Sequence, residues 1–324
     1  MSMTTEEILK QALNCYALNS PQADQIRHNE NMTYKVVSDD KAYALRIHKP
    51  VEGFSLSVFE VPDRLPFISS ELDIIADLDF ASDLDVQAPV RGRNGSFVQM
   101  ISDGTPVSLL EWVDGNTVED TPQTPETLRA VGKLAAKMHL FFGEKPFADK
   151  KYHRYSYDRS LLAPIAEKIH AANKLEVITN PQRQVILNAL EEMHKRFDEL
   201  DKSHRKILVH ADLSKSNMIV TPCGAIAPID FSLSGYSHFY MDIGGLFSHI
   251  INPEDRQYII EGYKSVRNCD ISSRYLEPYF TLNVIMFIAC QYERAAEWEW
   301  YGDALNRWCE DIFKPIAEDK TFLD

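Results

Sequence analysis

Apolar residues recur along the chain with two different periods, and the change from one to the other divides it. Tyr43, Leu45 and Ile47 alternate with Ala44, Arg46 and His48, the two-residue period of a strand. The charged turn from Ser38 to Lys41 joins that strand to the run ending at Val37, which emerges from a polar loop beginning near Ile26. Pro89 to Val98 reads as strand, Asn94-Gly95 turn, strand, and Val107 to Val113 as one more apolar strand. Residues 4 to 18 suggest a short helix. A second helix over 68–78 carries Leu72, Ile75 and Leu78 in one stripe, with Ser69 or Ser70 as its N-cap and Glu71 in its first turn.

Beyond Pro125 the period is helical. Leu128, Val131, Leu134, Met138 and Phe141 or Phe142 form one stripe, with His139 a structural member of it; after Asn180-Pro181 come Val185, Ile186, Leu190, Met193 and Phe197. Three short β-rich runs follow, 206–209, 218–220 and 225–229, the last two separated by a Pro222-containing turn. A core helix opens near Met241, and helices continue from Glu254 through the strongly apolar segment Phe280 to Cys290.

A sheet followed by helices is an α+β pattern. It predicts a bilobal chain: residues 1–115 as a small antiparallel-sheet lobe, a connector at 110–115, and residues 116–324 as a larger, mainly helical lobe. With 44% hydrophobic and 25% charged residues the composition is that of an ordinary globular protein. A net charge of −14 argues against nucleic acid or an anionic membrane as partner and suits neutral or cationic small molecules. Lys145 to Arg159, rich in basic residues, is accordingly read as a solvated loop. The five scattered cysteines fit a reducing compartment, and the lack of an apolar leader or membrane-length run predicts a cytoplasmic chain. Oligomeric state leaves no mark on the sequence.

The chemistry concentrates in His210 to Asn217, HADLSKSN, followed by Asp230. Asn217 stands just before one short strand and Asp230 just after its hairpin partner, so the two converge on one cation. An isolated H-x-D would be read as local backbone capping; the ordered carboxylate, amide and carboxylate resemble the H-R-D-x-x-x-x-N and D-F-G elements of protein kinases. In that chemistry Asp212 accepts the proton of the attacking hydroxyl, Asn217 and Asp230 hold metal, and His210 braces the loop. Tyr43 to Arg46 stands where kinases have V-A-I-K, with Ala44 under the adenine and Arg46 at the phosphates, oriented by Glu71. The polar loop with Asn31 and Thr33 resembles a phosphate-binding hairpin. Glu111 C=O and Val113 N–H are the expected adenine partners, with Leu110 and Ile229 lining the nucleotide.

Together these pieces, with Leu109 to Gly115, Leu134 to His139 and Asp242-Ile243, resemble the aminoglycoside phosphotransferase and choline kinase superfamily, in family order from residue 29 to residue 243. The resemblance implies a protein-kinase-like fold, ATP and Mg²⁺ as cofactors, Asp212 as base, Asn217 and Asp230 as metal ligands, and Asp242 as a brace. It implies transfer of the γ-phosphoryl group to a hydroxyl of a small molecule: aminoglycoside, amino alcohol, hydroxy amino acid or sugar. Two departures are Arg46 for Lys, and Ser214-Lys215-Ser216 where the family commonly has His-Pro-Gly; Lys215 either meets the γ-phosphate or faces solvent. Those departures keep a catalytically silent nucleotide-binding adaptor as an alternative. A protein Ser/Thr kinase is disfavoured, because no Ala-Pro-Glu element lies between Asp230 and Asp242.

For the acceptor, a helix over 292–301 would put Glu293, Glu297 and Trp300 or Tyr301 on one face, suited to a cationic amine through carboxylates and a cation–π contact of about 0.5–2 kcal/mol. The competing reading packs Trp298, Trp300 and Trp308 in the core and turns the glutamates to water.

Overall fold

The structure, a computed structural model, describes residues 3–52, 57–250, 252–295 and 297–323. Its N-terminal part is an antiparallel sheet of six strands: β1 (Gln22–His28), β2 (Met32–Ser38), β3 (Lys41–Ile47), β4 (Pro89–Val90), β5 (Gln99–Met100) and β6 (Pro106–Glu111), in the order β1-β2-β3-β6-β4 with β5 also on β6. Asp39 and Asp40 both take positive φ, 50° and 60°, and close the tight turn between β2 and β3. Helix α1 (Thr5–Asn14), closed by a Thr4/Glu7 capping box, lays Ile8 and Ala12 on the sheet beside Tyr34, Val36, Leu45 and Leu109.

Three expectations change here. β1 is a full strand where a polar loop was expected; its side chains are mostly exposed, so the ladder to β2 holds it, not an apolar face. The residues around Asn94-Gly95 make a turn, but the strands on either side pair separately with β6 instead of with each other. Helix α2 (Leu65–Ala81) begins a turn earlier than expected, with Pro66 in its first turn and Asp63 accepting from Leu65 N–H at 3.0 Å. Ser70 is no cap: its Oγ accepts the His153 N–H at 2.8 Å. Glu71 therefore sits in the second turn, and part of the loop expected from Gly53 to Pro66 lies outside the described residues.

The rest is mainly helical. α2 packs Leu72, Ile75 and Leu78 into a large core shared with α3 (Pro125–Gly143), α4 (Arg159–Lys174), α5 (Asn180–Leu200), α6 (Tyr240–His249), α7 (Pro253–Val266) and α8 (Ser273–Ala295). Each fully buried Leu or Ile there contributes about 1.5–3 kcal/mol. α3 and α7 approach until backbone meets backbone: a Cβ on Gly132 would fall 2.0 Å from Ile259 O, and one on Gly262 2.0 Å from Arg129 O. After α8 come α9 (Tyr301–Trp308), a π-turn at Cys309–Phe313 and α10 (Lys314–Ala317). Buried Glu277 takes the N–H groups of Phe322 and Leu323, 2.7 and 3.0 Å, and faces buried Arg196 at 3.4 Å.

Six short strands accompany the helices: β7 (Asn116–Thr117), β8 (Tyr155–Ser156), β9 (Ile207–Val209), β10 (Met218–Val220), β11 (Ile226–Pro228) and β12 (Gly235–Ser237), forming the sheets β11-β10-β7 and β8-β12-β9. The antiparallel sheet and helical bulk make a bilobal α+β kinase-like fold. Among the described residues, no helix is long and apolar enough to cross a membrane.

Candidate active site

The loop after β9 is built by one buried carboxylate. Asp242, in the first turn of α6, accepts the backbone N–H of His210 at 3.0 Å and of Ala211 at 2.6 Å. Burial opposes its charge, yet His139 Nε2 at 3.0 Å and these N–H groups hold its carboxyl below the ordinary range. His139 is itself fixed by Tyr263 OH at 2.9 Å. Ala211 is thereby held at φ 64°, a conformation alanine takes only when its surroundings impose it. His210 Nε2 meets Ile229 O at 3.1 Å, tying this loop to the one after β11.

That strained turn delivers Asp212. Its Oδ2 accepts from Asn217 Nδ2 at 2.8 Å, and the same amide reaches Asp212 O at 3.1 Å. Burial, and the negative charge of Asp230, push the Asp212 carboxyl up to about 7. Asp230 also stands in the left-handed region, φ 64° and ψ 72°. Burial works against its charge, but Arg46 beside it holds the carboxyl below the ordinary range. Asp230 Oδ1 is buried with no hydrogen-bond partner, although Arg46 Nη1 lies 3.8 Å away.

Arg46, on β3, gives its main bond to Glu71 of α2, Nη1 to Oε1 2.7 Å, with both side chains buried. Next to it, His48 bonds Asn31 Oδ1 at 3.0 Å and Ser108 Oγ at 2.9 Å; burial and the nearby Arg46 charge lower its pKa to about 3, so it is neutral. Glu30 pairs with Arg64, and burial with the Asp230 charge raises its carboxyl to about 7.

Of these groups Glu30, Asn31, Asp212, Asn217 and Asp230 line a cleft of about 600 Å³, and Arg46, Glu71 and His48 are not among its lining residues. Of the expected site residues it is lined by Asn31, Thr33, Asp212, Asn217, Asp230 and Glu293. Ala44 and Leu110 face each other across the β3–β6 ladder, buried, with Glu111 at its end; Trp112 N–H bonds Ala42 O at 3.0 Å, leading the chain to Val113. Ile229 donates its N–H to Asn217 O at 2.9 Å. None of Ala44, Leu110, Glu111, Val113 and Ile229 is among the residues lining the cleft.

The aromatic and acidic face is not formed. α8 ends at Ala295, and a turn intervenes before α9, so Glu297 and Trp300 share no helical face with Glu293. Trp300 stacks on Trp298, ring centroids 5.5 Å apart, and remains 50% exposed. Lys215 is likewise outside the cleft lining; its carbonyl accepts Glu119 N–H at 3.2 Å and its charge acts on His249.

The basic stretch 145–159 is no solvated loop at its centre. Arg154 is buried, and its guanidinium donates to Phe231 O (2.9 Å), Ser232 O, Ser234 O (2.9 Å) and, from its other edge, Phe67 O (2.8 Å). It clamps the turn after Asp230 to α2, four residues from Glu71. The sequence reading missed it, since its partners lie some distance along the chain and a lone Arg in a basic run carries no signal of burial.

A family model described as "Phosphotransferase enzyme family" matches residues 23–269. The chain matches no curated protein sequence. Among solved structures, a microcompartment-associated aminopropanol kinase superposes with a TM-score of 0.78 at 23% identity, covering 98% of this chain and 99% of that one. An amicoumacin kinase, solved with AMP-PNP, Ca²⁺ and Ami, gives 0.73 at 19% identity over 99% and 95% of the two chains. A spectinomycin phosphotransferase, solved with ADP and spectinomycin, gives 0.65 at 14% identity over 98% of each. The fold is theirs, and the family match spans most of the chain, both lobes and the loop that carries Asp212. The chain belongs to the phosphotransferase enzyme family.

Proposed function

We propose that this enzyme transfers the γ-phosphoryl group of ATP, with Mg²⁺, to the hydroxyl of a small molecule that carries an amine. The observation that supports it best is the orphaned Asp230 Oδ1, buried in the cleft beside Asn217 and Asp212. An unpartnered carboxylate oxygen is costly in a folded chain unless a ligand takes it. Among the described residues no three His, Cys, Asp or Glu side chains cluster as a metal cage. Two protein oxygens, with phosphates and water completing the shell, is the usual pattern for Mg²⁺. Asp230 Oδ1 and Asn217 Oδ1 would hold it, since Asn217 Nδ2 is engaged by Asp212. Bound there, the ion would supply charge neutralisation at the phosphates.

The remaining work falls to side chains. Asp212 takes the acceptor's hydroxyl proton as the oxygen forms its bond to phosphorus and the bond to the ADP oxygen breaks. Asn217 holds the carboxylate in place for that step. Arg46, oriented by Glu71, meets the inner phosphates, beneath the loop of Asn31 and Thr33. The nucleotide base enters between the lobes, which we divide near Gly115, against Ala44, Leu110 and Ile229 and the backbone of Glu111 and Val113. Glu293 is the one acidic residue of the earlier acceptor set on the cleft wall, and we assign it the amine. The aminopropanol kinase, by its name, acts on such an amino alcohol. We place the enzyme in the cytoplasm.

The test is a coupled ADP-release assay with Mg-ATP against amino alcohols, hydroxy amino acids, aminoglycosides and neutral sugars, products identified by ³¹P NMR. An amine-bearing alcohol should be phosphorylated, and Glu293→Gln should raise its KM more than that of ATP. A neutral sugar as best acceptor removes the amine assignment; no Mg²⁺-dependent ADP release with any alcohol removes the whole reading.

A further inference from the structure

Phosphoryl transfer spreads negative charge over three equatorial oxygens, and enzymes of this chemistry commonly meet it with a cation at the outer phosphate. In this chain the nearby cations are mostly spoken for. Lys215 is not among the residues lining the cleft; its carbonyl accepts Glu119 N–H, and its charge reaches His249. Arg46 is bound to Glu71 beside Asp230, and Arg154 to four carbonyls. Among the described residues, the cations lining the cleft are Arg27 and Arg294. Arg294 belongs to α8, next to Glu293 on the acceptor wall.

Arg27 reaches the cleft because of an irregularity in β1. Gln25 pairs with Tyr34, but the next pair is Arg27 with Thr33, so Ile26 is skipped and stands 52% exposed. A regular ladder would put Ile26 opposite Thr33. The bulge instead places Arg27 in one cross-strand row with Thr33 and Arg46, because opposed residues of an antiparallel pair share a face. With the Asn29 amide oriented so that its nitrogen donates to His28 O at 2.9 Å, its oxygen accepts from Arg27 Nε at 2.9 Å and Nη2 at 3.1 Å. Asn29 is pinned in turn by Val51 N–H to Asn29 O, 2.8 Å. The Arg27 charge is felt across the cleft at Asp212, where it offsets part of the effect of burial and of Asp230.

We propose that Arg27 is the arginine that neutralises the transferring phosphoryl group, supplied from the bulged end of β1 of the same chain. Its row-mate Arg46 serves the inner phosphates and Arg27 the outer one. The Arg27 N–H groups donate to the γ-phosphoryl oxygens and bind them most strongly as the bond to ADP breaks and Asp212 receives the acceptor proton. The assignment rests on the ATP-dependent reading above.

The experiment compares the parent with Arg27→Met and Arg27→Lys in the full chain. Mg-ADP and Mg-ATP binding are measured by calorimetry, and turnover of Mg-ATP with water as acceptor by phosphate release. Arg27→Met should keep Mg-ADP affinity within about threefold while turnover falls by ~100-fold or more, a conservative share of the ~10³–10⁵ found for arginines in this role. Arg27→Lys should recover part of that loss. An Arg27→Met rate within about threefold of the parent overturns the proposal, as does a rate loss matched by an equal loss of Mg-ADP affinity, which would make Arg27 a ground-state phosphate ligand. A parent that binds no Mg-ATP overturns the ATP-dependent reading itself, whereas a parent that binds and hydrolyses it alongside an unchanged variant overturns the Arg27 role alone.

Discussion

Arg46 Nη1 stands between two carboxylates, 2.7 Å from Glu71 Oε1 and 3.8 Å from Asp230 Oδ1. The first bond fixes the side chain, and the second contact leaves Asp230 charged with its Oδ1 without a hydrogen bond. Arg46→Met strands the buried Glu71 and should cost about 3–5 kcal/mol of stability. Arg46→Lys keeps the charge and loses the planar fork, so the fold should survive with a KM for ATP raised by about tenfold. Thermal unfolding and steady-state kinetics distinguish the two.

Asp212 should pit activity against stability. Its carboxyl is pushed up to about 7 from an ordinary 3.8, so between those values the folded chain holds a proton that the unfolded chain has lost. Stability contributed by this group therefore falls as pH rises through that window, and the penalty is complete above pH 7. Asp212→Asn has no proton to lose. In metal-free buffer at pH 8 its Tm should exceed the parent's by a few degrees, and the gap should close below pH 4. Its transfer rate should drop by about 10²–10⁴ while Mg-ATP still binds. Equal Tm values at pH 8 would contradict the buried, repelled carboxylate.

Arg154 should act on the metal through backbone alone. Arg154→Met removes the donors to Phe231, Ser232 and Ser234 O and lets the turn that aims Asp230 relax. The Mg²⁺ concentration for half-maximal activity should rise by about tenfold, roughly 1.4 kcal/mol, with acceptor KM unchanged. Arg154→Lys, which cannot span three carbonyls, should resemble Met. A Tm loss with no change in Mg²⁺ dependence would reduce Arg154 to a packing role.

Gly132→Ala should be among the most damaging single-methyl additions in the protein. The added carbon would sit 2.0 Å from Ile259 O, so α3 and α7 must separate, carrying His139 of α3 with them. A loss of about 1–3 kcal/mol is expected in chemical denaturation, and activity should fall as well because His139 supports Asp242.

The loop from His210 to Asn217 is legible in the sequence because its chemistry demands particular residue types at fixed spacing. Arg46 and Glu71 are legible for the same reason. β1 is not, since a strand exposed on most of its length shows no apolar alternation and is held by hydrogen bonds to β2 that any residues can make. The start of α2 is misread because Ser70 resembles a cap while its hydroxyl is committed to His153, a residue far along the chain. The end of α8 is misread because three-to-four spacing continues past Ala295 although the helix does not. Arg154 shows the general limit: a charge made structural by distant carbonyls is, within its own stretch of sequence, one more basic residue.

The segment from Phe231 to Met241 has a wider consequence. It is short, β12 within it is fastened on both sides by β8 and β9, and Arg154 fastens the part nearest Asp230. Protein kinases use the corresponding stretch as a throw switch, ordered or released by a modification. Here it is part of the chassis. The segment that follows Asp230 is thus held by strand pairing and one arginine, contacts that need no modified side chain to form.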